Sequence, residues 1–440
     1  MIKKWLLLAC LAVMILVLNA CRHEDDTTVP PVTNQPTVGT TTQTTPPSTV
    51  TQPVTTVPPE TTQPPALTGW QVVGAYTYYY HDDGTMATGW QDLDGKRYYF
   101  RVDGVLCTGW LPREEGLYYL GDDGVMVTGW LDLEGKRYCF TESGTALMGW
   151  QEDAGILRYF KPDGAMAVGW LQLGEDRYYL DTEGILQTGW IDVGSRRYYL
   201  QEDGRMLTGW LQQGEKLYYL RPDGSMARGC VEIDGVKTYF TSTGDYILLV
   251  NPWNYLPEGY EPKLISLNRY NGYDNMLIAE ICYEPLVQML ADCKAQCQIA
   301  YVVSSYRTQE FQEKNYQRKV DYYLNLGYPL EEAKILAAKV VAVPGTSEHQ
   351  SGLAVDIVDA KLWSLEDAQA NMPAQKWLME HSWEYGFILR YPKDKTDVTG
   401  IIYEPWHYRY VGKELAAELH ECGLTLEEYL DQLTAEEAAK

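Results

Sequence analysis

The sequence predicts a multidomain chain, in which an all-β solenoid of β-hairpin repeats is followed by an α+β domain. Three observations predict it. Gly-Trp recurs with a period of 20 from Trp70 to Trp210. The period stops near Tyr246, and residues 251–440 change to helical patterns with a few strand-like runs. An apolar leader and a Thr/Pro-rich stretch precede the repeats. At roughly 150 residues per domain, 440 residues correspond to about three parts.

Composition narrows the function. The 36 basic and 60 acidic residues leave a formal charge of −24. That balance argues against nucleic-acid binding through phosphate contacts and against adhesion to anionic lipid by charge alone. Tyr (35) and Trp (14) far outnumber Phe (6). These rings carry an apolar body and a polar tip, which suits ligand-contacting surfaces.

The first element is a leader, residues 1–20. Lys3 and Lys4 precede an apolar run from Trp5 to Leu18, too short for a membrane span of about 20 residues. It ends in Leu18-Asn19-Ala20-Cys21, which resembles a bacterial lipoprotein signal. The resemblance implies that Cys21 is lipidated and anchors the chain to the extracellular face of the cell membrane. The alternative is an ordinary secretory signal, and both readings place the mature chain outside the cytoplasm.

Residues 21–66 read as a linker. From 27 to 66 the chain is almost all Thr, Pro, Val and Gln, with ten prolines and one charge, Glu60. Such a stretch cannot bury enough apolar surface to fold. At ~3.1 Å per residue it reaches on the order of 120 Å, which would hold the folded domains away from the membrane.

Residues 67–248 are the repeats. Trp70, Trp90, Trp110, Trp130, Trp150, Trp170, Trp190 and Trp210 share one phase, and Cys230 takes the ninth position. Glycines from Gly84 to Gly244 hold a second phase, mostly after Asp. Asp-Gly supplies positive φ, and it is read here as the tight turn of each hairpin. Aromatic pairs such as Tyr98-Tyr99 and Tyr218-Tyr219 read as strand. One 20-residue hairpin cannot hide its apolar face, so neighbours must stack. The pattern resembles the cell-wall-binding repeats of choline-binding and glucan-binding proteins. The resemblance implies a cell-surface polymer as partner. In choline-binding members a Trp usually precedes the Tyr pair. Here Arg97, Leu117, Arg137, Leu157, Arg177, Arg197 and Leu217 stand there. Stacking of Trp90, Trp110, Trp130, Trp150, Trp170, Trp190 and Trp210 on sugar rings is the alternative to a quaternary-ammonium cage, and a purely structural role is a third reading.

Nine cysteines, scattered and odd in number, do not form a disulfide framework. Cys293 and Cys297 share a helix face, which reads as core packing, with a metal site as the alternative. Cys282 has the same look, and buried apolar thiols are inert.

Residues 251–440 are the α+β domain. Helical patterns cover 277–297, 309–325, 330–341, 372–385 and 412–421, and strand-like runs cover 299–304, 353–358 and 401–409. Three segments stand out: Ser304-Ser305-Tyr306-Arg307-Thr308 with Gln312; Ser347-Glu348-His349-Gln350-Ser351-Gly352-Leu353-Ala354-Val355-Asp356; and Glu404-Pro405-Trp406-His407. They resemble, in order, the S-x-Y-R-S…Q, S-x-H-x-x-G-x-A-x-D and E-x-W-H motifs of VanY-like D-alanyl-D-alanine carboxypeptidases, over roughly 250–412. Ser305 replaces the Gly usual before the Tyr. The resemblance implies a zinc peptidase domain acting on peptidoglycan stem peptides, with Ser304, Arg307, Gln312 and Trp406 at the substrate.

The residues themselves support this reading. Catalytic zinc takes three protein ligands and keeps one open position, and His349, Asp356 and His407 offer two imidazoles and a carboxylate. Glu404 is placed to act as general base. Pro405 disfavours a helical Glu404, so the pair with His407 lies on an extended or bulged segment. Arg307 offers a fork for a terminal carboxylate. Taken singly, each residue has a plain surface reading; their order and spacing join them. His23, His81, His381 and His420 match no motif and are read as exposed. The Ser-x-x-Lys and Gly-x-Ser-x-Gly signatures are absent. The expected function is a surface-anchored zinc carboxypeptidase that removes terminal D-alanine. A zinc endopeptidase on the same wall peptides and a non-enzymatic wall-binding adhesin are the alternatives.

Overall fold

The computed structural model describes residues 67–267, 276–296 and 298–439. The leader, Cys21, the linker and Cys297 lie outside the described residues. Two compact units are present: one holds 67–191 with 200–206, the other 192–199 with 207–439.

In the first unit each repeat is a two-stranded antiparallel hairpin. Gly89–Leu93 pairs with Lys96–Phe100, with Trp90 opposite Tyr99 and Asp92 opposite Arg97. The two-residue turn is Asp94-Gly95, both at positive φ (50° and 74°), as the right-handed strand twist demands. The phase-fixed Asp-Gly is therefore not the hairpin turn expected from the sequence. It lies in the connection between hairpins, where Gly104 N–H donates to the Arg101 carbonyl at 2.9 Å. In this repeat both turns read Asp-Gly, while elsewhere the hairpin turn reads Glu134-Gly135, Ala154-Gly155 or Gly174-Glu175. The glycine is needed for space as well as for φ: a Cβ on Gly144 would meet Met126 Sδ at 2.3 Å. The connecting arm stitches neighbours together, as Leu106 N–H donates to the Thr77 carbonyl and Cys107 N–H to the Tyr99 carbonyl, both at 2.8 Å. Phe100, Leu120, Phe140, Phe160, Leu180 and Leu200 form the buried file, one per repeat.

In the second unit the ninth hairpin, Gly229–Ile233 with Val236–Phe240, carries the C-terminal helix. Cys230 N–H donates to Thr434 Oγ1 at 2.7 Å. A Cβ on Gly229 would lie 2.6 Å from the Thr434 nitrogen. Helix packing against this hairpin explains why the small Cys230 replaces the repeat Trp.

The site is built on a four-stranded antiparallel sheet of order β1-β2-β4-β3. The strands are β1 (Ala300–Ser304), β2 (Ala354–Asp359), β3 (Phe387–Leu389) and β4 (His407–Tyr410). Helix α1 (Glu280–Ala295) buries Cys282, Leu286, Met289, Leu290 and Cys293, an i, i+4, i+7, i+8, i+11 stripe. That stripe joins one core with Val302, Val355, Ile357 and Tyr408 of the sheet and with Ala374 and Leu378 of α4 (Pro373–His381). Helices α2 (Gln309–Asn325) and α3 (Leu330–Ala338) share a smaller core around Val320, Ala333 and Ala337. Helix α5 (Lys413–Cys422) and α6 (Leu426–Ala438) complete the unit, α6 starting with a Thr425–Glu428 capping box.

Four departures from expectation have physical causes. Leu277–Ala279 is a strand paired with Leu264–Ser266, so α1 begins at Glu280. Of the run 401–409 only the end is strand, because Thr396–Thr399 and the turn at Glu404 bend the chain first. Strand β3 is only three residues long, too short to show a period; helix α6 was passed over although Leu426, Tyr429, Leu430 and Leu433 fall at i, i+3, i+4 and i+7 behind the Thr425–Glu428 cap. His81 and His381 are half-buried, unlike the exposed His420: His381 packs on Trp377 and pairs with Glu384 at 2.8 Å.

Candidate active site

Sheet register assembles the site. Ser304 pairs with Asp356, and Asp356 pairs with His407, so three strands contribute one row. Strand β1 shifts register between Val302 and Ser304, the kind of irregularity that re-aims a side chain next to a site. Because strand side chains alternate, Val355 and Ile357 enter the core while Asp356 faces the other way. A short 3-10 turn, Glu348–Ser351, ends at Gly352 with φ +74° and places His349 beside this row.

The three candidate ligands converge. Their donor atoms all lie within 4.8 Å of one another, and all three residues are buried. His349 Nε2 is 3.2 Å from Asp356 Oδ2. His407 Nδ1 is 3.1 Å from Asp356 Oδ1. The imidazole rings stand perpendicular, 4.9 Å apart. Glu404 Oε2 is 3.7 Å from His407 Nδ1, within the same cluster. The His407 N–H donates to the Glu404 carbonyl at 3.1 Å, so the motif forms a turn at the start of β4.

Electrostatics sort these groups into roles. Burial, with the Arg307 charge, lowers His349 to about 4, so its imidazole is neutral. Its Nδ1–H donates to the Ser305 carbonyl at 2.8 Å, which leaves Nε2 with a free lone pair. Burial alone would raise Asp356, but the facing imidazoles of His349 and His407 hold it well below the usual carboxylate range. Burial would lower His407, yet hydrogen bonds to Asp356 and Glu348 lift it to about 9. Burial pushes Glu404 up to about 8, against the pull of His407.

Arg307 lines the same cluster. Its Nη2 donates to Asp356 Oδ2 at 3.1 Å and to Ser304 Oγ at 2.9 Å. The Arg307 backbone N–H donates to the His349 carbonyl at 3.1 Å. Trp406 is buried, and its carbonyl accepts from Ile357 N–H at 2.8 Å. Gln312 is fully buried on α2. Its Nε2 donates to the Ala342 carbonyl at 2.7 Å, while its Oε1 has no hydrogen-bond partner.

Sequence reasoning passed over Glu348. Its buried carboxylate accepts from Arg390 Nε at 2.7 Å and Arg409 Nη1 at 2.8 Å, and its Oε2 lies 3.4 Å from His407 Nε2. These guanidiniums hold it below the usual range against the opposing effect of burial. One signal was available: Arg409 lies two residues after His407 on a strand, hence on the same face.

In the repeats, Trp90 packs edge-on to Tyr99 and tilts against Tyr118 of the next hairpin, at 5.1 and 4.9 Å. Trp110 and Trp150 repeat the arrangement with Tyr119 and Tyr138, and with Tyr159 and Tyr178. Guanidiniums lie over several Trp rings: Arg97 over Trp90 at 5.6 Å, Arg137 over Trp130 at 4.8 Å and Arg177 over Trp170 at 4.5 Å. Trp210 packs against Tyr219.

Comparison with known proteins identifies two regions. Residues 275–413 match the model of the D-alanyl-D-alanine carboxypeptidase family VanY. Residues 67–104, 87–127 and 187–228 match the choline-binding repeat. The chain is 43% identical over 186 residues to a D-alanyl-D-alanine carboxypeptidase of Enterococcus faecalis, covering 42% of this chain and 65% of that protein. It therefore spans just under two thirds of that relative's length. It is 36% identical over 193 residues to VanXYC, a bifunctional D-Ala-D-Ala dipeptidase and D-Ala-D-Ala carboxypeptidase of Enterococcus gallinarum, covering 42% of this chain and 93% of that protein. Among solved structures, VanYB in complex with D-alanine-D-alanine is 42% identical, with a TM-score of 0.38, covering 42% of this chain and 96% of the other.

Proposed function

We propose a substrate and a reaction from one premise: the chain belongs to the VanY family of D-alanyl-D-alanine carboxypeptidases, a family of zinc-dependent peptidases. The reading is a cell-wall enzyme that removes the terminal D-alanine from peptidoglycan stem peptides. The observation that carries it is the buried convergence of His349, Asp356 and His407, with Glu404 beside them.

The donor set fits zinc. Two imidazoles and one carboxylate make a three-ligand site of the catalytic type. His349 would contribute Nε2, His407 Nδ1 and Asp356 a carboxylate oxygen. When bound, zinc supplies a Lewis acid that lowers the pKa of water to about 7 and draws Glu404 into its carboxylate form. Glu404 Oε2 takes the proton of the attacking water and hands it to the leaving amine of D-alanine. Arg307, oriented by Ser304, presents its remaining donors to a substrate oxygen. Ser304, Gln312 and Trp406 complete the substrate side.

The repeats support wall attachment, with Trp90, Trp110, Trp130, Trp150, Trp170, Trp190 and Trp210 as ligand-contacting residues. Lipidation of Cys21 and the linker would tether the enzyme at the membrane surface. Among the described residues no helix is long and apolar enough to cross a membrane.

The test is incubation of the full chain with a pentapeptide ending in D-Ala-D-Ala, with zinc and with chelator. Released alanine under zinc and none under chelator is expected. Intact peptide under zinc rejects the reading, and a released fragment larger than one alanine turns it into an endopeptidase.

A further inference from the structure

The buried ion cluster behind His407 has no part in the proposed hydrolysis. It holds two carboxylates, Glu348 and Glu427, and two guanidiniums, Arg390 and Arg409. Arg390 donates through Nη1 to Glu427 Oε2 at 2.8 Å and through Nη2 to Glu427 Oε1 at 2.5 Å. Asn251 Nδ2 donates to Glu427 Oε1 at 2.9 Å. Arg409 donates to the Leu248 carbonyl at 2.7 Å and the Tyr410 carbonyl at 3.0 Å. Formal charge closes to zero within the cluster, which is the condition for keeping ionised groups out of water.

Glu348 is the member that touches the site. It is 1% exposed. Its Oε1 is shared by both guanidiniums, so only Oε2 is left to face His407 Nε2. The carboxylate cannot rotate without unpairing two buried cations. We propose that Glu348 is a positioning residue that fixes which ring nitrogen of His407 faces the metal. Nε2 faces Glu348 Oε2, which lies outside the proposed ligand set, whereas Nδ1 faces Asp356 Oδ1 at 3.1 Å and Glu404 Oε2 at 3.7 Å, the groups gathered at the proposed ion position. An ion held beside Asp356 would therefore meet Nδ1, leaving Nε2–H to donate to Glu348. His349 solves the same problem with the opposite nitrogen and a neutral partner, the Ser305 carbonyl at Nδ1. One ligand is thus set by backbone and the other by a charge held from three sides. Carboxylate partners of this kind orient ligating imidazoles and raise their basicity.

The inference rests on the reading of His349, Asp356 and His407 as zinc ligands. Its test uses the full chain labelled with ¹⁵N-histidine and loaded with zinc. The expected spectrum has the His407 proton on Nε2 and the metal-shifted resonance on Nδ1. Glu348→Gln should weaken zinc binding about 10- to 100-fold in competition with a chelator. Glu427→Gln removes the same charge from the same cluster without touching His407, and zinc affinity should stay at the wild-type value. Equal losses in the two variants would assign the effect to folding and overturn the proposal. So would the reversed nitrogen assignment in the wild type, a result that stands even where Glu348→Gln fails to fold. A wild type that takes up no zinc would overturn the metal reading and this inference with it. The reversed assignment in a zinc-loaded chain would overturn the inference alone.

Discussion

Asp356 and His407 are direct cross-strand neighbours, with Nδ1 of the imidazole 3.1 Å from the carboxylate. The pairing makes the site a property of sheet register. A slip of one residue between β2 and β4 would send one of the two side chains into the apolar core. Val355, Ile357 and Tyr408, buried on the core face, fix that register. The core that stabilises the domain therefore also aligns its chemistry.

Glu404→Gln keeps the size of the side chain and removes its basicity. Glu404 stands 3.7 Å from His407 Nδ1. Hydrolysis of a D-Ala-D-Ala peptide should fall by about 10²- to 10⁴-fold. Zinc content should remain at one ion per chain, because Glu404 is outside the proposed ligand set. Metal analysis and peptide turnover on the same sample check both halves.

Arg307→Lys tests the fork. The guanidinium bridges Ser304 Oγ and Asp356 Oδ2 with one edge, a geometry that a single ammonium cannot reproduce. Losing one charge-assisted hydrogen bond to substrate is worth about 1.5–3 kcal/mol. The expected result is a loss of about 10- to 100-fold in kcat/KM with zinc content unchanged. Full activity in the lysine variant would remove Arg307 from substrate contact.

Much of this was legible in the sequence, for reasons that particular residues show. The repeats declare themselves because each buries one residue at fixed phase, from Phe100 to Phe240. The convergence of His349, Asp356 and His407 was legible because each sits in a short motif tied to a local turn or strand. The position of the hairpin turn was not. In one repeat Asp94-Gly95 and Asp103-Gly104 have the same composition, and pairing partners tell them apart. Glu348 was hidden for a different reason. Its partners Arg390 and Arg409 lie 42 and 61 positions away in sequence, and a buried charge looks like a surface charge until its partners are placed.

Two glycine phases of the repeat, the connecting-turn Gly144 and the strand-start Gly129, separate two constraints. Gly144 has φ +85° and would place a Cβ 2.3 Å from Met126 Sδ, whereas Gly129 has φ +71° and open space around it. Alanine at either position suffers left-handed strain of about 1–2 kcal/mol. Only Gly144→Ala adds overpacking, typically about 1–3 kcal/mol. Urea unfolding followed by tryptophan fluorescence should rank Gly144→Ala below Gly129→Ala by that amount. Equal midpoints would show that backbone conformation alone selects the glycine.

Helix α6 is predicted to be core rather than appendage. Leu426, Tyr429, Leu430 and Leu433 are buried against Ile247, Leu249, Leu415 and Leu419, so the helix seals the end of the repeats to the catalytic sheet within one unit. Leu430 is 1% exposed. Leu430→Ala leaves a cavity and should cost about 2–5 kcal/mol. Among the described residues, Glu427 links the helix through Arg390 to Glu348 beside His407, and this change touches neither Glu427 nor Arg390. Turnover per folded molecule at low temperature should therefore match the wild type while thermal unfolding shifts down by several degrees. An unchanged unfolding temperature would mean that α6 frays from the core, and that the seal between Thr434 and Cys230 contributes nothing to stability.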